Sequence, residues 1–376
     1  MEHRRILIVS HPTDLHTRAA AFAIRQKGHV CEEFFCPDFP TLTSITLGET
    51  GDAASSQAEV CVEHLDGMFE AGKGFDTIWL RRLDDPWLPM DMHPGDREVA
   101  YRHCNRMMWD FLAALDGPGV FWVNDLRRQR LHALKLYQLN KARHAGLTIP
   151  PTIVTNAPER MREFIRACGG RAAYKLIEHA TWQRRDDRRF ATYTTPITED
   201  DLVSDATVRL CPAILQPLVE KQFEIRVACF GNQLVACQLD SQSDERASID
   251  WRQGQWYIDV APYTLPDEIA DGIRRFLRAT GMASASLDFI VTPQGDHVFL
   301  EANPQGQFLW MEERTGVPLL DMVTDFLIER DPEFRYRRSS QAVAWSDYAS
   351  IVGSDFASLT GRHVPHRQFR GSFPDD

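Results

Sequence analysis

The 376-residue chain reads as an α/β protein whose second half takes on α+β character. In the N-terminal third, short apolar runs at Arg5–Ser10, Val30–Phe35 and Phe75–Leu80 alternate with helical stretches such as Thr13–Lys27, the order of an open α/β unit. Further along, β-rich runs follow one another across short turns, at Phe223–Phe230 with Gln233–Leu239 and at Ser286–Val291 with His297–Glu301. Those are antiparallel hairpins. The length exceeds one typical core, so two or three domains are expected.

Composition narrows the class. Hydrophobic residues make up 43% and charged residues 25%, the values of a globular protein. A net charge of -11 without an extended basic run argues against a nucleic-acid partner, whose phosphates would be repelled. The eight cysteines form no C-x-x-C pair and no Cys/His metal spacing, so they read as reduced thiols of a cytoplasmic protein. No run approaches a membrane span, and Ile6–Ser10 is too short for a signal peptide.

In chain order, Gly28 can end the first helix, 41–56 reads as a polar loop, and Val99–Leu115 is an aromatic helix closing the first unit. No G-x-G-x-x-G follows the first strand, so a dinucleotide site there is not expected. After the strand Val120–Val123, Asn124 or Asp125 can cap one helix reaching about His144, with Lys135 inside it. A lone helical lysine reads as a solvated face. Lys175 is less ordinary, because it interrupts the short apolar strand Arg171–Ile177, where its stem can pack while its ammonium reaches a buried anion.

The charged stretch 179–190, with Arg184, Arg185, Arg188 and Arg189, is either a surface loop or a basic lid over phosphates. The strand Ala213–Val219 follows. Pro217 has no N–H to offer a base edge, so Val219 is the expected hinge donor. In the next strand Glu224 and Arg226 share a face, suited to a ribose hydroxyl pair and a phosphate, or to a cross-strand salt bridge. Trp251 and Trp256 read as a satellite core, Gln255–Val260 as a strand, and Pro266–Thr280 as a helix covering the last hairpin. A helix at Leu319–Glu329 packs last, and 332–376 loses periodicity and reads as a surface tail.

The last hairpin carries the chemistry. If its loop is Pro293–Asp296, Asp288 falls opposite Glu301, and period-two alternation points Asn303 the same way. Two carboxylates and an amide oxygen are hard ligands that suit Mg²⁺ when nucleotide phosphates and water complete its shell.

Taken together, two lysines on successive elements, a hinge strand, an acid–x–arginine strand, then Asp and Glu-x-Asn resemble the ATP-grasp ligases over roughly residues 121–330. Asn124-Asp125, Lys135-Leu-Tyr-Gln-Leu139, Gly146-Leu-Thr-Ile-Pro-Pro-Thr152, Ile249-Asp-Trp-Arg252 and Glu301-Ala-Asn-Pro-Gln-Gly-Gln307 narrow the likeness to the graspetide maturases, the microviridin-type ω-ester and ω-amide macrocyclases. Trp79-Leu-Arg-Arg82 resembles their N-terminal unit as well.

The resemblance implies an ATP-grasp fold with a pre-ATP-grasp α/β domain at 1–120, a central domain at 121–207, a C-terminal domain at 208–332 and a tail at 333–376. It implies ATP and Mg²⁺ as cofactors. Lys135 and Lys175 would hold phosphates, Gln216, Leu218 and Val219 the adenine, Glu224 the ribose, and Asp288, Glu301 and Asn303 the metal. Arg226 would face the γ-phosphate or the activated carboxyl, and Arg252 the substrate or a phosphate. The implied partner is a ribosomally made precursor peptide, leader plus core, and a homodimer is left open. Asp240, Asp244 and Glu245, in the region Gln238–Val260 read as hairpin-rich, are the expected leader contacts. One departure stands out: residues 176–190 contain no glycine, so the glycine-rich phosphate loop of many ATP-grasp proteins is missing. A ligase joining a free amino acid to its substrate, or an ATP-binding scaffold without turnover, are the alternative readings.

Overall fold

The structure, a computed structural model, describes residues 3–49, 59–71, 74–89, 91–178, 181–183, 189–191, 193–352 and 356–364. Of the stretch 179–190 expected as a lid, 179–180 and 184–188 lie outside them.

The first unit comprises β1 (Arg5–Ser10), α1 (Leu15–Gln26), β2 (Val30–Phe35), β3 (Ser44–Gly48), β4 (Glu59–His64), β5 (Gly67–Glu70), β6 (Thr77–Leu80), α2 (Pro94–Ala114) and β7 (Phe121–Val123). Its main sheet is parallel in the order β2-β1-β6-β7. Alternation along β1 divides the packing: Ile6 and Ile8 face the alanines of α1, while Leu7 and Val9 share a core with Met108, Phe111 and Leu112 of α2. The expected loop at 41–56 instead contributes β3 to a small sheet β3-β4-β5, whose Ile45 and Val62 enter the α2 core. Alternating Ile45 and Leu47 was the overlooked signal.

The second unit holds α3 (Gln129–Ala133), α4 (Lys135–His144), β8 (Ile153–Thr155), α5 (Pro158–Ala167), β9 (Ala172–Leu176), β10 (Thr181–Gln183), β11 (Arg189–Ala191), β12 (Thr195–Ile197), α6 (Asp205–Leu210) and β13 (Ala213–Pro217). Its antiparallel sheet runs β12-β9-β13-β8, with β10 and β11 as a separate pair. The single helix expected to run to His144 is broken at Leu134, which is extended, so Lys135 opens α4 rather than lying inside a helix.

The third unit adds β14 (Phe223–Phe230), β15 (Gln233–Leu239), β16 (Val260–Tyr263), α7 (Asp267–Thr280), β17 (Ser284–Val291), β18 (His297–Asn303), α8 (Leu309–Thr315), α9 (Leu319–Glu329), α10 (Trp345–Val352) and α11 (Phe356–Gly361). Its sheet order is β16-β15-β14-β17-β18. One face, with Ile225, Val227, Leu287, Phe289 and Phe299, packs under α7 and α4, as the amphipathic pattern of 267–280 requires. The other face begins apolar at Ala228 and Phe230, beneath α8 and α9, and turns charged at Arg226 and Asp288. The strand expected at Gln255–Val260 lies later, because 251–257 folds as a 3₁₀ turn and loop ahead of β16.

The described part of the expected surface tail contributes to the core. Phe334, Val343, Tyr348 and Val352 are buried in the cluster that joins α1 to α9. The end of α11 is tied down as well, since His363 is buried against Asp38 of the first unit. Among the described residues no helix is long and apolar enough to cross a membrane.

Candidate active site

A cleft separates the four-stranded and five-stranded sheets of the second and third units. It contains two adjoining cavities of about 440 and 190 Å³, which share Lys175, Thr194, Gln216, Arg252, Leu300 and Glu301. Alternation in the roof explains the lining: Ala173, Lys175 and Gln216 face the cleft, while Ala172, Leu215 and Ala213 pack behind against α5.

The floor is a charged row running across three strands. Arg226 of β14 lies opposite Asp288 of β17, which lies opposite Glu301 of β18. The Arg226 guanidinium donates from one Nη to both Asp288 oxygens at 2.8 Å, and Lys135 bonds Glu301 from the start of α4. Along the row the signs therefore run plus, minus, minus, plus.

The pairing of Asp288 with Glu301 matches expectation, but through a different register. The hairpin starts with Val291 opposite His297, so its connection is 292–296, one residue longer than the expected Pro293–Asp296 loop. A bulge between Asp288 and Phe289 then absorbs one extra residue of β18. Leu300 is that residue. The bulge lets Leu300 and Glu301 both line the cleft while Phe299 and Ala302 stay in the core.

Two side-chain amides hold this floor in place; sequence reasoning gave Gln138 no role and offered Asn124 only as a helix cap, a place that Asp125 takes. Gln138 of α4 pairs with the backbone of Ala302, accepting its N–H at 2.9 Å and donating to its C=O at 2.8 Å, so it fixes the strand between Glu301 and Asn303. It also donates to the carbonyl of His132, which satisfies a group freed where the helix breaks. Asn124 accepts N–H bonds from Ala283 and Ser284 and anchors the start of β17. Both residues stood inside quoted motifs, and their burial was the missing signal.

The two lysines differ in character. Among the described residues Lys175 has no hydrogen-bond partner, and burial lowers its pKa, partly offset by Glu301 and Asp250. Glu301 is held down to about 2: burial would raise it, and the Lys135 charge and hydrogen bond, with Arg252 and Lys175, outweigh that. Arg252 forms a bidentate pair with Asp250 at 2.8 and 2.7 Å. Burial opposes its charge, yet Asp250 pushes its pKa above the usual guanidinium value.

At the hinge, Gln216, Leu218 and Val219 line the larger cavity. Gln216 donates to Thr152 at 3.0 Å, and the Val219 N–H has no protein acceptor among the described residues. Glu224 is buried beside Lys221 at 2.7 Å, and burial raises its pKa. Asn303 borders the smaller cavity, with its side-chain oxygen accepting from Gln305 N–H at 2.9 Å. Among the described residues no three His, Cys, Asp or Glu side chains converge, so a metal here would rely on two carboxylates, one amide and groups brought by a nucleotide. That donor set fits a hard cation sharing phosphate ligands.

Asp240, Asp244 and Glu245 do not line the cleft, although Gln242 and Ser248 of the same loop do. The region is a loop rather than a hairpin. Asp244 is paired with Arg246 at 2.6 Å, and that guanidinium sits 3.5 Å above the Tyr257 ring. Trp251 packs on Trp310, whereas Trp256 is 75% exposed and belongs to no core.

No protein-family model matches the chain, and neither does any curated protein. Solved structures do. The macrocyclase MdnC of Microcystis aeruginosa MRC, bound with precursor peptide MdnA, aligns at 25% identity and TM-score 0.75 over 86% of this chain and 99% of its own. MdnB of the same organism aligns at 28% identity and TM-score 0.73 over 86% and 99%. A Chryseobacterium gregarium RiPP-associated ATP-grasp ligase, in complex with ADP and a leader and core peptide, aligns at 23% identity and TM-score 0.78 over 89% and 100%. The chain thus has the ATP-grasp ligase fold and is similar to peptide-modifying ligases over nearly its whole length.

Proposed function

We propose that this protein is an ATP-dependent macrocyclase that activates Asp or Glu side chains of a ribosomal precursor peptide and joins them to Ser or Thr hydroxyls or Lys amines. The observation that carries this reading is the charged row Arg226–Asp288–Glu301–Lys135 on the cleft floor, beside Lys175, which has no hydrogen-bond partner among the described residues. A carboxylate is a poor electrophile in water, and an acyl phosphate formed from ATP supplies the leaving group. Positioning and charge neutralisation then carry most of the catalysis.

Asp288, Glu301 and Asn303 would hold Mg²⁺, which neutralises phosphate charge when bound. Lys175 and Lys135 bind phosphate oxygens, and the pairing of Lys135 with Glu301 keeps both oriented in the free protein. The Val219 N–H meets the adenine edge beside Gln216 and Leu218, and Glu224 meets the ribose. Arg252, fixed by Asp250, and Arg226, fixed by Asp288, face the carboxyl being activated. We assign the domains as 1–120, 121–207 and 208–332, with 333–376 packed back on the first and third through its described residues. Of the three acidic residues expected to meet a leader segment, Asp240 and Glu245 are left to do so, because Asp244 is already tied to Arg246.

Mass spectrometry of the purified protein with Mg·ATP and a peptide carrying Glu or Asp and Thr, Ser or Lys tests the reading. Loss of one water per ring, with ADP and phosphate released, is expected. Addition of a free amino acid to the peptide would replace this reading with the ligase alternative.

A further inference from the structure

A third cavity, of about 390 Å³, lies outside the nucleotide cleft and is lined by His11, Thr13, Asp14, Arg82, Asp84 and Gln307 among others. Its place in the fold is informative. The parallel sheet β2-β1-β6-β7 sends α1 to one face after β1 and α2 to the other after β6, so the carboxyl ends of β1 and β6 flank a topological switch point. Open α/β sheets bind ligands in that crevice. His11 follows β1 directly, and Arg82 lies just past β6.

The lining is held from behind. Asp14 caps α1 through Thr17 N–H, lies 3.1 Å from the buried Arg81 guanidinium, and accepts from Arg82 Nε at 3.1 Å. This fixes the plane of the Arg82 guanidinium. Among the described residues its two Nη groups have no partner, and its side chain is 30% exposed. His11 Nδ1 accepts the Thr13 N–H at 3.1 Å, so the neutral ring carries its proton on Nε2 and can donate from there. Asp84 also lines the cavity, and its charge acts on His11.

The cavity adjoins the proposed chemistry through the loop after β18. Arg81 binds the Gln305 carbonyl, His16 Nε2 accepts from the N–H groups of Phe308 and Leu309 at 2.9 and 3.1 Å, and Arg226 touches the Gln307 carbonyl at 3.4 Å while holding Asp288. Gly306 has no room for a side chain, since a Cβ there would lie 2.3 Å from that of Ser286. Gln307 therefore lines the cavity and, through Arg226, stands one guanidinium away from the floor of the cleft.

We propose that this pocket is a second peptide subsite, in which Arg82 and His11 hold a side-chain carboxylate of the substrate other than the one being activated, with Asp84 accepting a peptide N–H. A free guanidinium edge beside an imidazole N–H matches a carboxylate, and a neutral amide loses the charge-assisted part of that contact. The inference rests on the peptide-ligase reading above and names Arg82 as a specificity-determining residue.

The test uses the full chain without nucleotide and two probes: N-acetyl-glutamate amide and its neutral counterpart N-acetyl-glutamine amide. The readout is the His11 imidazole resonance in NMR titration, assigned with His11→Gln. The glutamate probe should shift it saturably and the glutamine probe should not. Arg82→Ala should weaken the response about tenfold, or about 1.4 kcal/mol, Arg82→Lys should recover part of it, and affinity for Mg·AMP-PNP should stay as in the native protein. Equal shifts from both probes, no shift from either, or a response that survives Arg82→Ala would overturn the proposal. Should Arg82→Ala fail to fold, the two probes on the native protein decide alone. The readout needs no turnover, so absent cyclisation faults the function reading, whereas an absent His11 response faults this subsite only.

Discussion

Replacing Lys175 by Met separates a phosphate ligand from a structural lysine. In the free protein the ammonium sits in the cleft without a hydrogen-bond partner among the described residues, and its pKa is lowered, first by burial. Its acidic neighbours do not depend on it, because Glu301 keeps Lys135 and Asp250 keeps Arg252. Methionine preserves most of the stem and removes a charge that is costly to bury, so the nucleotide-free Tm should stay constant or rise. Nucleotide binding should move the other way. A hydrogen bond to a charged group contributes about 1.5–3 kcal/mol net, which is roughly a 10- to 150-fold weaker Kd. Calorimetric titration with Mg·AMP-PNP and a thermal melt of the free protein provide both numbers. Equal affinity in the two proteins, or a clearly lower Tm with unchanged affinity, would show that Lys175 is structural.

Three further substitutions probe the same framework. Glu301→Gln removes one negative charge from the floor while keeping its shape, so ATP-dependent turnover should be lost with the fold retained by circular dichroism, and unchanged turnover would contradict the metal role. Gln138→Met leaves the N–H and C=O of Ala302 without their partner, at a cost of about 2 kcal/mol in urea unfolding, and an unaltered midpoint would refute the bracing role. His16 is buried and neutral, its pKa pushed well below 6.5 first by burial and then by Arg81, so the unfolded chain takes up a proton that the folded one refuses. Stability tied to it is complete above about 6.5 and declines as pH falls further. His16→Gln should flatten that acid limb in Tm measured against pH, and an identical slope would count against it.

Strong local patterns made most of the fold readable. The hairpin of β14 and β15 turns where Gly231-Asn232 predicts, and α7 covers the sheet that its apolar stripe implies. What failed was governed by tertiary packing. The break at Leu134 needs Gln138 to reach back to His132, a contact no propensity encodes. The apparent tail from Pro332 onward lacks a long periodic stretch because its buried residues are divided between turns, with Phe334 and Val343, and the short helix α10, with Tyr348 and Val352, all in the cluster of α1, α8 and α9. Within the site, spacing singled out Asp288 and Glu301, and a place inside an apolar strand singled out Lys175, whereas Lys135, read alone as a solvated face, entered only through the family resemblance. The register correction from the Leu300 bulge was not visible, although a connection of 292–296 rather than 293–296 would have forced it. Arg81 was quoted only within the Trp79-Leu-Arg-Arg82 motif and His16 not at all, because their partners Gln305 and Phe308 lie 224 and 292 residues away, in the loop after β18.

Carboxylate activation by ATP is the claim on which everything else depends, and oxygen transfer measures it directly. A peptide substrate with ¹⁸O in its Asp and Glu side-chain carboxylates, incubated with the purified protein and Mg·ATP, should pass one labelled oxygen to inorganic phosphate for each ring formed, because the acyl phosphate leaves with that oxygen. Rings formed with unlabelled phosphate would contradict the account.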